Sequence, residues 1–201
     1  MLDEMVRAGS SYCVMEVSSH ALALGRTEQC RFDAAVFTNL SQDHLDFHRD
    51  MDSYLQAKLL LFSGLDAGRT AVGNNDDAAV QTVRASTRAA VMTFGTSSDA
   101  DIRPEGMIAH HMDGLSFRAT TPSGTVNVVS PLLGMHNVSN LLAAIGVGVA
   151  QGFSTEIISR GIAAMRAVPG RMEKVDEGQP FAVIVDYAHT EASLEHLLRT
   201  V

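Results

Sequence analysis

The sequence has no tryptophan, two cysteines, five prolines and only two lysines. Without tryptophan, no interface can be anchored on an indole. Cys13 and Cys30 lack the paired spacing of a metal site. Each lies in or beside an apolar run, so both are expected to be buried thiols of a chain kept in a reducing compartment. No apolar stretch approaches membrane-spanning length and no signal-peptide pattern is present; a cytoplasmic location with no membrane partner is expected. Positive charge is scarce. Fifteen Lys and Arg stand against twenty-three Asp and Glu, a formal net charge of -8, which argues against a nucleic-acid groove or an anionic membrane surface. A chain of this balance handles phosphate locally, with metal ions, helix N-termini and a few arginines.

What is present fits a globular protein. At 201 residues, 46% hydrophobic and 19% charged, the chain can bury one good core, or one domain plus part of another. Apolar runs at 12–17, 34–37, 70–73 and 90–95 read as strands, the first a buried parallel strand carrying Glu16 near its end. Helical patterns at 1–8, 52–62 and 77–89 lie around and between them, and 21–25 is a helical turn. This alternation predicts an α/β fold, a mostly parallel sheet flanked by helices. Short alternating runs at 107–112, 115–120 and 125–130, separated by Asp113-Gly114 and Pro122-Ser123-Gly124, add a small antiparallel sheet. Helices are expected at 141–151 and 155–165. Pro169-Gly170-Arg171 marks a boundary. The segment 172–175, a turn at 177–180, a buried strand at 181–185 and a helix from about 190 then read as the start of a second α/β, Rossmann-like domain. Both termini look cut, and the chain is expected to be a fragment.

The stretch from Phe37 to Phe62 organises the rest. The strand at 34–37 stops at a polar tip, Thr38-Asn39-Leu40-Ser41, where open α/β sheets place their chemistry. Asp43, His44, Asp46 and His48 follow as potential metal ligands. In the helix beyond, Tyr54, Leu55, Lys58, Leu61 and Phe62 share a face. Thirteen of the fifteen basic residues are Arg. A lysine on an apolar stripe therefore suggests amine chemistry that guanidinium cannot perform; a snorkelling side chain is the alternative.

Four constellations emerge. Glu16 and His44, at the tips of successive strands, with Lys58, suit Mg or Mn acting on phosphates; a strand-end charge and a loop histidine are the alternative. The cluster from Asp43 to His48 could itself be a metal-hydrolase site, or a polar loop. His136, Asn137 and Asn140 open a helix, where Asn capping is the ordinary reading. Arg171, Asp186 and His189 lie beyond the boundary, where an arginine can swing to a phosphate. His110 and His111 are adjacent in a strand, face opposite ways, and make a poor ligand pair.

Together M-E-V-S-S-H-A-L (15–22), F-T-N-L-S-Q-D-H-L-D-F-H (37–48), Y-L-Q-A-K (54–58), N-N-D-D (74–77), G-M-H-N-V-S-N (134–140), G-R-M-E (170–173) and D-Y-A-H-T (186–190) resemble the Mur ligases. The resemblance is greatest to the member that adds the third residue of the peptidoglycan stem peptide. It implies an ATP-dependent amide ligase working through an acyl phosphate, with a UDP-muramoyl dipeptide, ATP and a diamino acid (meso-diaminopimelate or lysine) as partners, and a monomer. It implies Mg²⁺ held by Glu16, His44 and a carbamylated Lys58. Ser18, Arg26, Thr38 and Asn39 would contact the muramoyl peptide; Asn137, Asn140, Arg171, Asp186 and His189 would contact the nucleotide. Residues 1–169 would be the central, P-loop-NTPase-like ATP-binding domain, truncated at its N-terminus, and 170–201 the beginning of the C-terminal domain. Two departures stand out. No Gly-Lys pair occurs, so the family's phosphate loop would lie upstream of residue 1, and the fragment alone would be inactive. Glu191 replaces the usual proline, putting negative charge near the expected nucleotide. The alternatives are a folylpolyglutamate synthase-like ligase, a metal-dependent hydrolase and a non-catalytic fragment.

Overall fold

The computed structural model describes residues 2–41, 47–189 and 191–200. In chain order the elements are α1 (Leu2–Arg7), α2 (Ser19–Ala23), β1 (Ala34–Phe37), α3 (Met51–Ser63), β2 (Thr70–Asn74), α4 (Val80–Ser86), β3 (Ala90–Phe94), β4 (Arg103–His111), β5 (Gly114–Thr121), β6 (Gly124–Ser130), α5 (His136–Ala150), α6 (Thr155–Ala164), β7 (Glu173–Val175), β8 (Val183–Val185) and α7 (Glu191–Thr200). They fall into two compact units: residues 1–31 with 42–61, and residues 32–41 with 62–201.

The larger unit carries the expected α/β layering. Strands β1, β2 and β3 are parallel neighbours in that order, with Ala35 opposite Ala71 and Ala71 opposite Val91. Strand β2 is buried along nearly its whole length, because α4 and α5 both pack on it; a strand covered on two faces reads as an apolar run rather than an alternation. Strands β4, β5 and β6 form the antiparallel sheet. Helix α5 lies against both sheets. Leu142 and Ile145 of α5 join Val72 and Phe94 of the parallel sheet, Phe117 and Val126 of the antiparallel sheet and Ile158 of α6 in one core. Close approach of α5 to the sheet needs a glycine: a Cβ on Gly146 would sit 2.6 Å from Val72 Cγ1.

The smaller unit holds α1, α2 and α3 as far as Leu61. Asp50 starts α3. Its carboxylate accepts the Ser53 amide at 2.8 Å while Ser53 Oγ accepts the Asp50 amide at 3.1 Å, the reciprocal arrangement of a capping box.

Several expectations fail. Residues 12–17 form no strand; Val14 is 95% and Tyr12 64% exposed. An apolar run becomes a strand only where a neighbour supplies the ladder hydrogen bonds, and no described strand pairs with this one. Cys13, within this run, is therefore exposed, and Cys30, ahead of β1, is half-buried, rather than both being core thiols. The strand expected at 181–185 shrinks to β8. It pairs only with β7 in a two-stranded ribbon and stays largely exposed, with Phe181 at 66%; such a ribbon has no covering layer to bury it. Helix α4 is shorter than the pattern at 77–89 because Asp77 is engaged in turn hydrogen bonds. Helix α5 begins at His136 rather than Leu141.

Candidate functional site

Parallel strands put all their C-terminal ends on one edge, and in this sheet that edge is tied together by side chains from the N-N-D-D turn. Asn74, buried at the end of β2, donates from Nδ2 to the Thr38 carbonyl at 2.7 Å and accepts the Asp76 amide at 3.0 Å. Asp77 accepts the Leu40 amide at 2.6 Å and, through its other oxygen, the Ala79 amide at 2.9 Å. Asp76 accepts the Thr96 amide and hydroxyl at 2.8 and 3.0 Å. Asn75 donates to Ser97 Oγ at 3.1 Å. Hydrogen bonds from Ser97 and then Asn75 hold the carboxyl of Asp99 below its ordinary range. The loops after β1, β2 and β3 are thus one bonded edge that presents Thr38 and Asn39, both exposed. The grip of Asn74 and Asp77 on the loop after β1 was not among the sequence expectations. Four consecutive Asn and Asp residues at a strand end were the available signal.

Lys58 lies in the smaller unit, half-buried on α3. Its Nζ sits 4.8 Å from the centroid of the Tyr54 ring, a contact that i, i+4 spacing makes available. Tyr54 stacks on His48, with ring centroids 5.1 Å apart and 28° between planes. His48 is buried, and its Nε2 is 2.8 Å from the buried Ser19 Oγ. His48 was expected among the potential metal ligands; here its Nε2 is taken up by that hydroxyl. Ser18 caps α2, its Oγ accepting the Ala21 amide at 3.2 Å. Glu16 and Arg26 are exposed, and Glu16 forms no ion pair with Lys58. Asp43, His44 and Asp46 lie outside the described residues. Among the described residues no three His, Cys, Asp or Glu side chains gather as a metal site.

Chemistry decides what would make this set fit magnesium. Glu16 offers the hard oxygen that Mg²⁺ takes. A lysine ammonium repels the ion, so Lys58 fits only once its amine has become an anion.

At the start of α5, Asn140 Nδ2 donates to Asn137 Oδ1 at 2.9 Å, and Asn137 Nδ2 donates to the Leu133 carbonyl at 2.6 Å. The asparagines bond to one another and back to the preceding turn; neither caps the helix, whose N-cap position is Met135. Beyond the 169–171 turn, Arg171 and His189 both meet Tyr187, the neighbour of Asp186. Asp186 accepts the Met172 amide at 2.8 Å and the Ala188 amide at 2.7 Å, holding Met172 at φ +45°. Arg171 lies over the Tyr187 ring at 5.9 Å, and the His189 ring meets Tyr187 edge-on at 5.2 Å. Arg166, Arg171 and Lys174 line a cavity of about 240 Å³ together with Asp113, Leu132, Leu133 and Met172, and Lys174 Nζ lies 3.8 Å from the Asp113 carboxylate.

Residues 1–148 match the family model for the Mur ligase middle domain. The chain is 45% identical over 200 residues to a UDP-N-acetylmuramoyl-L-alanyl-D-glutamate–2,6-diaminopimelate ligase of Solibacter usitatus, covering 98% of this chain and 40% of that protein. It is 48% identical, with the same coverages, to the ligase of that name from Gloeobacter violaceus. Among solved structures, a UDP-N-acetylmuramoyl-L-alanyl-D-glutamate–2,6-diaminopimelate ligase superposes with a TM-score of 0.85 at 32% identity, over 99% of this chain and 41% of that one. A folylpolyglutamate synthase of Mycobacterium tuberculosis, at 22% identity and TM-score 0.67 over 84% of this chain and 38% of that one, shares the fold. The chain therefore spans about two fifths of the length of the curated relatives it matches.

Proposed function

The chain belongs to the Mur ligase family, and from that premise we propose that it is the central part of an ATP-dependent amide ligase of peptidoglycan precursor synthesis. The ligase adds 2,6-diaminopimelate to UDP-N-acetylmuramoyl-L-alanyl-D-glutamate. The observation that carries this reading is the 45–48% identity, over 98% of the chain, to ligases bearing that name. Of the two diamino acids the sequence left open, those names favour diaminopimelate. Folylpolyglutamate synthases share the fold alone, and no feature of the site favours their substrate.

In this reading the D-Glu carboxylate attacks the γ-phosphate of ATP, releasing ADP and leaving an acyl phosphate. The amine of the diamino acid then attacks the acyl carbon and expels phosphate. Ser18 and Arg26, with Thr38 and Asn39 on the bonded sheet edge, bind the muramoyl peptide. Asn137, Asn140, Arg171, Asp186 and His189 bind the nucleotide, and Arg166 in the adjoining cavity adds positive charge beside Arg171. Lys58 works as a carbamate: its neutral amine forms an N–C bond to CO₂, one C=O π bond opens onto oxygen, and the nitrogen gives up a proton. The anion so formed, with Glu16 and His44, would hold Mg²⁺, which supplies charge neutralisation as the phosphoryl group transfers. Residues 1–169 serve as the central domain and 170–201 open the C-terminal one. The ligase acts as a monomer in the cytoplasm.

The test is turnover by the complete ligase that carries this chain. With the muramoyl dipeptide, ATP and labelled diaminopimelate, label should enter the nucleotide-linked peptide with stoichiometric ADP. Turnover with folate and glutamate in place of these substrates would overturn the reading, as would phosphate release that needs no amine acceptor.

A further inference from the structure

The antiparallel sheet reaches the start of α5 through a histidine that the chemistry above does not use. His110 of β4 lies opposite Leu115 of β5, and Leu115 lies opposite Ser130 of β6. Residues opposite one another across strands share a face. Leu115 belongs to the core, so His110 and Ser130 end a row on the core side of the sheet. Both ends of that row accept amides of the segment leaving β6. Ser130 Oγ takes the Leu132 amide at 3.3 Å, and His110 Nε2 takes the Gly134 amide at 3.3 Å across twenty-four positions of sequence.

The same segment carries the two asparagines. The Gly134 carbonyl accepts the Asn137 amide at 3.0 Å. The Leu133 carbonyl accepts from Asn137 Nδ2 at 2.6 Å, and Asn137 Oδ1 accepts from Asn140 Nδ2 at 2.9 Å. Where the 133–134 turn sits therefore sets where both amide side chains stand. We propose that His110 is a positioning residue for the nucleotide: by taking the Gly134 amide it fixes the turn from which Asn137 and Asn140 hang, and through them the affinity for ATP. This deepens the nucleotide-binding reading of the two asparagines and rests on it. His110 acts through the backbone of Gly134, not by touching the nucleotide. The role requires a bare Nε2, which is a neutral imidazole with its proton on Nδ1.

The experiment measures steady-state kinetics of the complete ligase and the tautomer of the ring. His110→Leu keeps bulk but offers no acceptor, and should raise KM for ATP roughly three- to ten-fold, the change that one net hydrogen bond sets. Its kcat and its KM for the muramoyl dipeptide should hold, because an interaction lost equally from the bound substrate and the transition state moves KM alone. His110→Gln brings an amide oxygen close to where Nε2 stands and should keep the parent KM for ATP. In the parent, ¹⁵N NMR at about pH 8, above the ordinary histidine range, should show Nε2 without a proton. A protonated Nε2 overturns the proposal, as does equal KM for ATP in His110→Leu and His110→Gln. A lowered melting temperature in His110→Leu with KM for ATP unchanged makes the histidine structural only and also overturns it. Should His110→Leu not fold, His110→Asn, polar but too short to reach Gly134, is judged by the same criterion. Asn137→Ala and Asn140→Ala test the reading beneath. If neither raises KM for ATP, the nucleotide role of the asparagines falls and this proposal with it; if they raise it and His110→Leu does not, this proposal alone falls.

Discussion

The Asp77 carboxylate accepts the backbone amide of Leu40 at 2.6 Å, across thirty-seven positions of sequence. Its second oxygen takes the Ala79 amide that opens the turn into α4. One side chain thereby fixes the loop after β1 to the loop after β2. Asp77→Ala leaves two amides without their acceptor, which costs about 1–3 kcal/mol where the groups are shielded from water. Asp77→Asn keeps one acceptor oxygen and should lose less. Urea unfolding of the chain is the measurement, with a lower midpoint and an unchanged slope as the expected result.

Two glycines inside helices should respond with opposite sign. At Gly146 of α5 an added methyl meets Val72 Cγ1 at 2.6 Å and Ile102 Cδ1 at 3.2 Å. Overpacking there costs about 1–3 kcal/mol, more than the roughly 1 kcal/mol that alanine gains over glycine in a helix. At Gly161 of α6 nothing lies within 4 Å of the added atom, so Gly161→Ala should stabilise by about 0.5–1 kcal/mol. Denaturant midpoints of the two variants should move apart; movement of both in one direction would contradict the packing described.

Lys58 separates charge from chemistry. In the complete ligase Lys58→Arg keeps a cation but cannot form the carbamate, and should cut kcat by about a hundred-fold or more, the scale of losing one stabilising group at a transition state. Lys58→Ala opens a space that a short carboxylate can enter, so added formate or acetate should recover part of the rate. Arg-variant activity equal to the parent would remove the carbamate role.

Acid should act on the start of α3. The Ser53 amide, and then the Ser53 hydroxyl, hold the carboxyl of Asp50 below its ordinary value of 3.8. A carboxylate lowered on folding contributes stability above its unfolded value, and that contribution disappears as pH falls through the folded value. The first turn of α3 should therefore loosen only below the usual carboxylate range. Asp50→Asn should abolish that acid step. The pH dependence of the Ser53 amide signal in NMR reports it, and a step surviving in Asp50→Asn would assign it elsewhere.

Much of this was legible in the residues themselves. The runs at 34–37, 70–73 and 90–95 became three parallel neighbours, and the Gly- and Pro-marked alternation from 107 to 130 became the hairpins. Tyr54 and Lys58 were placed on one helix face by spacing alone. The run at 12–17 has the same local pattern as β1 yet is no strand, because an apolar run carries no information about whether a partner is present to complete its ladder. Asn137 and Asn140 looked like caps and instead bond to each other, since the helix begins one residue ahead of Asn137.

Apart from the run at 12–17, the types of the sheet and helix elements and the ordered motifs followed from the residues in line, because backbone periodicity and turn chemistry act over a few positions. The choice of partner did not. Asp77 for Leu40, Ser19 for His48 and Asp186 for Met172 are separated by thirty-seven, twenty-nine and fourteen positions. A hydrogen bond forms within about 3 Å and at a narrow angle, so which donor meets which acceptor was decided only when the chain had closed on itself.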